Sequence, residues 1–142
     1  MAVPSSEHRS RALLDRADRL LMEAAGERNP RERFRTAYLA ALRGAATVLA
    51  ATTASKGTRE RTRNAWVLMA RSAPEFVMWA DYFADHSATR AALEAGITRE
   101  VTDAAADEFF GRVGAFLHDV EDLISDAKRL PAAPGWGAGM SA

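Results

Sequence analysis

The feature that most limits the fold is an apolar stripe toward the carboxyl end. Val101, Ala105, Phe109, Val113, Phe116, Val120, Leu123 and Ala127 recur at three- and four-residue steps. Such steps return side chains to one face of an α-helix, with its period of about 3.6 residues, and never to one face of a strand. A stripe this long needs other helices to cover it.

The rest of the chain supplies them. Leu13, Leu14, Ala17, Leu20, Leu21 and Ala24 repeat the spacing and predict a helix from Arg9 to Ala25, stopped by Gly26. Asn29-Pro30-Arg31-Glu32 is a helix start: Asn29 caps, Pro30 suits the first turn and Glu32 reaches back. The second helix runs to Thr53, with Phe34, Tyr38, Leu42, Ala45, Val48 and Leu49 as its buried stripe. Ala41, Gly44, Ala45 and Ala46 are small enough to let a neighbouring helix come close.

The polar, basic stretch 52–62 reads as a loop. A helix over 64–72 follows, and Pro74 interrupts it, because proline removes a helical hydrogen bond and clashes with the preceding turn. A further helix with Pro74 in its first turn extends to Phe83, and a short one spans Ser87–Ala95 before Gly96. Thr98 is placed to cap the last helix, with Ile97 packed on its first turn, and Pro131 to close it. Strand-like alternation is missing throughout. The expected fold is all-α, a four-helix bundle with short accessory helices. One domain is expected over residues 9–130, between a frayed start at 1–8 and a disordered Gly/Ala/Pro-rich tail at 131–142.

Composition narrows the chemistry. The 142 residues include no cysteine, which excludes disulfides, thiolate metal sites and cysteine nucleophiles. No apolar run approaches the ~20 residues that cross a bilayer, and the first residues lack the apolar centre of a signal peptide. A cytoplasmic protein without membrane contact is expected. The formal net charge is +0, but residues 1–72 hold fourteen Lys/Arg against seven Asp/Glu, and residues 73–142 hold five against twelve. Such asymmetry fits a nucleic-acid-binding half, or basic and acidic helices that neutralise each other side by side. The second reading is preferred, because the overall pI of 6.8 lacks a basic footprint.

Four groups of residues could carry chemistry. Arg112 and His118, in RVGAFLH, are the catalytic candidates for metal-independent RNA cleavage: histidine to move a proton, arginine to stabilise the phosphorane. Their six-residue separation puts them about 120° apart on a helix, with His118 turned outward and within i,i+4 reach of Asp122. Second are the carboxylates of the last helix: Asp103, Asp107, Glu108, Asp119, Glu121, Asp122 and Asp126. No Glu-x-x-His accompanies them, so a solvated face is expected and neither metal nor cofactor is assigned. Third, Lys56, Arg59, Arg61 and Arg63 form a basic loop, either solvated or in contact with nucleic-acid phosphates. Fourth are Trp66, Phe76, Trp79, Tyr82 and Phe83, read as core, with half-exposed rings available for a subunit contact.

The stretch 63–124, and within it Trp66, Leu68, Pro74 and Glu75, resembles a family of small actinobacterial HEPN-domain proteins. The resemblance extends over residues 8–126. It implies a helical bundle and a homodimer, since HEPN domains often pair. Many HEPN members are ribonucleases whose signature is an arginine followed, four to six residues on, by a histidine. Arg112 and His118 are the matching positions here, but Val113 stands where that signature carries a polar residue. Other HEPN members are non-catalytic binding modules, and this chain resembles those more. The expectation is therefore a non-enzymatic module that binds a protein partner, a nucleotide or RNA. The alternatives are a HEPN ribonuclease and a nucleic-acid binder without chemistry.

Overall fold

Asn29, Asn64 and Thr102 each start a helix in the same way. The first N–H groups of a helix have no carbonyl partner, and a short polar side chain just ahead of them accepts their protons. In the computed structural model of the chain, which describes residues 6–52, 64–97 and 100–129, Asn29 Oδ1 accepts from the N–H of Arg31 at 2.8 Å and of Glu32 at 3.3 Å. Asn64 Oδ1 accepts from Trp66 and Val67 at 2.9 and 3.3 Å. Thr102 Oγ1 accepts from Ala105 at 3.0 Å.

These caps open α2 (Pro30–Thr52), α3 (Ala65–Ser72) and α6 (Asp103–Arg129). Ahead of them lies α1 (Ser6–Ala25); between α3 and α6 come a 3-10 turn (Pro74–Phe76), α4 (Val77–Asp85) and α5 (Ser87–Glu94). No strand occurs among the described residues, so the fold is all-α. α2 is the central element, packed on α1, α3, α5 and α6, and α1 also meets α6. α3 and α4 together make the fourth leg. Among the described residues no helix is long and apolar enough to cross a membrane.

Pro74 breaks the α3–α4 leg as its chemistry requires, and the chain absorbs the break in the 3-10 turn. Gly96 ends α5 at φ 79°. The Gly96 N–H donates to Leu93 O and the Ile97 N–H to Ala92 O, the paired bonds of a Schellman motif, which a left-handed glycine permits.

The core is aromatic. Phe34 stacks on Phe109 at 4.3 Å, Trp66 on Phe83 at 4.8 Å, and the Phe83 ring meets Phe116 edge-on at 5.0 Å. Such pairs contribute about 0.5–1.5 kcal/mol each beyond their buried area. Trp66 Nε1–H donates to Tyr38 Oη at 2.9 Å, so the buried indole proton has its acceptor. Gly44 is fully enclosed, and a Cβ there would sit 2.7 Å from both Phe116 Cε2 and Leu117 Cδ2. The small-residue run of α2 therefore admits α6.

Three sequence expectations shift. Ser6–His8 is helical rather than frayed, because Ser10 Oγ donates to Glu7 O at 3.1 Å and the first turn is built from polar residues that an apolar stripe does not register. α6 begins at Asp103 under the Thr102 cap, and Ile97 is 59 % exposed instead of packing on its first turn. Val101, just before the cap, is the inward residue. Along α6, Ala105 is exposed and Ala106 buried, and Leu117 and Ile124 join the seam. A straight helix drifts against a fixed stripe, so the buried face migrates along it. The expected loop past Thr52, Thr98, Pro131 and the tail 131–142 lie outside the described residues.

Candidate functional site

Arg112 and His118 both face solvent on α6, with side chains 54 % and 74 % exposed. Arg112 Nη2 lies 3.6 Å from Glu108 Oε2, and His118 Nε2 lies 3.8 Å from Asp122 Oδ2. Each therefore has its carboxylate one turn away on its own helix. Their angular separation of about 120° keeps them off a common face. Lys56, Arg59, Arg61 and Arg63 lie outside the described residues.

The carboxylates of α6 lie on an exposed face, and several of them also pair across the bundle. Arg33, only 13 % exposed, places Nη1 3.4 Å from Asp103 and 3.2 Å from Asp107. Its Nε donates to Glu27 O and its Nη2 to Arg28 O, so one guanidinium ties the α1–α2 junction to the start of α6. Arg11 donates twice to Glu121, at 3.0 and 2.9 Å. That two-pronged hydrogen bond holds the Glu121 carboxyl below its ordinary value. Trp79 Nε1–H donates to Asp119 Oδ2 at 2.8 Å. Basic α1 and α2 thus neutralise acidic α6 through direct pairs. Among the described residues no three His, Asp or Glu side chains converge on one point.

The sequence did not point to one concavity of the structure. A cleft of about 540 Å³ opens where α2, α4, α5 and α6 meet, within the size range of small-ligand pockets. Phe34 of α2 and Phe109 of α6 give it an apolar lining. Tyr82 of α4 and His86, at the α4–α5 junction, lie with ring centroids 4.4 Å apart. The His86 ring also lies 5.1 Å from Phe109. Thr89 adds a hydroxyl, and Glu100 and Glu108 add carboxylates.

His86 Nδ1 is 2.8 Å from the Tyr82 carbonyl. A carbonyl only accepts, so Nδ1 carries a proton and Nε2 is the nitrogen left for other chemistry. Burial, the largest influence, pushes the Tyr82 phenol above its usual value; Arg112 opposes it and Glu108 reinforces it. The Arg112 guanidinium lies over the Tyr82 ring, 5.7 Å from its centroid. Arg112, Tyr82 and His86 therefore form one contiguous row beside the cleft, and His118 has no part in it.

Residues 24–121 match the model of the SAV_6107-like HEPN family. The chain belongs to this HEPN family. No curated protein and no solved structure matches it. The helical bundle of this HEPN chain accords with that membership. In the HEPN ribonuclease signature a histidine follows the arginine closely in sequence, yet the histidine that shares an aromatic row with Arg112 here is His86. One local signal pointed to it: His86 follows Tyr82 by four residues, so the two share a helix face. What sequence alone did not offer was the long-range packing of that face on Phe109 and Arg112.

Proposed function

We propose that this HEPN protein is a non-catalytic binding module whose binding site is the cleft beside His86. One observation carries the reading: Arg112 and His118 point to solvent, each held by a carboxylate of its own helix, while the aromatic cleft has the size and lining of a ligand site. A cleavage site needs its base and its charge-stabilising group aimed at one phosphate. The candidate pair is not arranged that way within the chain.

The test is incubation of purified full-length protein with labelled single-stranded RNA, beside His118→Ala, His86→Ala and Arg112→Ala. No cleavage above the variants is expected. Cleavage lost in His118→Ala would overturn the proposal.

A second reading rests on the Arg112–Tyr82–His86 row. Were the chain a ribonuclease, His86 would be the histidine that serves Arg112, and the same assay would then lose activity in His86→Ala and keep it in His118→Ala.

Pairing into a homodimer belongs to the proposal. Val77 and Met78, 44 % and 79 % exposed in the first turn of α4, are apolar surface for a second copy to cover. Sedimentation equilibrium of the full chain and of Met78→Glu tests it: a dimer in the parent and a monomer in the variant are expected.

A further inference from the structure

The polar side chains among the described residues that line the cleft share one property: apart from the His86 Nδ1–H, none is an obligate donor. Glu100 and Glu108 bring carboxylates, which only accept. His86 spends its Nδ1 proton on the Tyr82 carbonyl, which leaves Nε2 as its remaining ring nitrogen. The hydroxyls of Tyr82 and Thr89 serve either way. No lysine, arginine or side-chain amide is among the described residues lining the cleft. A phosphate or carboxylate entering it would meet acceptors, whereas an N–H-bearing cation would meet partners. The half-exposed Tyr82 and His86 rings add π surface, which attracts cations, above the buried Phe34 and Phe109.

The neighbouring arginine shows this chemistry already at work. The Arg112 guanidinium rests over Tyr82 and pairs with Glu108, so a cation held by one ring and one carboxylate is part of the fold. The same device recurs one ring away, where Arg90 lies 5.5 Å above the centre of Tyr38.

We propose that the cleft binds a small organic cation, an ammonium group carried on a flat apolar stem, with the stem against the half-exposed Tyr82 and His86 rings and the charge toward Glu108. This rests on the reading of the cleft as a binding site and assigns its ligand class. Arg112 is then a competitor for the same carboxylate and the same ring, not a ligand contact.

Three probes of like shape and different charge test the assignment on the full-length protein: 2-phenylethylamine, 2-phenylethanol and phenylacetate. Binding is followed by NMR on the imidazole Hε1 signals, where His86 should shift while His8 and His118, outside the cleft, should not. The amine should bind about tenfold tighter than the alcohol, and phenylacetate weakest. Glu108→Gln should weaken the amine about fivefold, and Arg112→Ala should strengthen it, because it frees Glu108 and the Tyr82 face. Ala105→Phe, at an exposed cleft position, should block all three probes without disturbing the core.

Equal binding of all three would overturn the ligand class and leave the cleft a binding site. Preference for phenylacetate, or its weakening in Arg112→Ala, would likewise overturn the cation assignment. An unmoved His86 signal with every probe would overturn the binding site itself.

Discussion

Tyr38 serves the core in two ways: its ring packs between neighbours and its hydroxyl oxygen receives the Trp66 indole proton. Burial pushes its phenol above the usual value, and the Trp66 hydrogen bond works against that. Tyr38→Phe keeps the ring and removes the acceptor, stranding a buried N–H. Loss of about 1–3 kcal/mol in urea unfolding is expected, with Trp66 fluorescence as the probe. An unchanged midpoint would mean that the indole finds another acceptor. Such pairings were beyond sequence reading. Tyr38 and Trp66 were each legible as core from their spacing, but nothing local says that two side chains twenty-eight positions apart exchange a proton contact.

At the scale of elements, two glycines make opposite predictions. Gly111 lies in the middle of α6 with nothing near the space a Cβ would fill. Gly111→Ala should therefore stabilise the protein by about 0.5–1 kcal/mol, through helix propensity alone. Gly44 faces the Phe116 ring, and Gly44→Ala should destabilise by about 1–3 kcal/mol as the core shifts to admit the methyl. Thermal unfolding followed by circular dichroism separates the two signs. Helices were legible where their signals are local: Asn29 and Asn64 cap the residues that immediately follow them. The start of α6 was not. Thr102 is the residue that caps it, and Val101 beside the cap turns into the core, a tertiary fact. The cleft escaped for the same reason, since four separate elements build it and only the Tyr82–His86 step is local.

For the whole molecule, charge is the organising quantity. The excess of arginine before residue 72 and of acid after it becomes a set of cross-bundle pairs: Arg11 with Glu121, Arg33 with Asp103 and Asp107, Arg35 with Glu94. The Glu121 carboxyl is held below its ordinary value of 4.5, first by the Arg11 hydrogen bond. A depressed carboxylate stabilises the fold above its unfolded value and ceases to do so as pH falls through its folded value. Below about pH 4.5 the parent should therefore lose stability faster than Glu121→Gln, whose amide does not titrate. The pair is half exposed, so the difference should stay within about 1 kcal/mol, read from urea midpoints between pH 5 and pH 2. Parallel pH profiles would remove the Arg11–Glu121 pair from the account of acid stability.

The late beginning of α6 has a consequence for variation among related chains. Residues 100–102 run outside any helix, and two of them, Glu100 and Val101, edge the cavity. Exposed Glu100 thus shapes part of the rim, while Val101 is fixed by its burial in the core. If the cleft binds a ligand as proposed, a change of charge at Glu100 in related chains would retune its rim while the four legs stayed where they are.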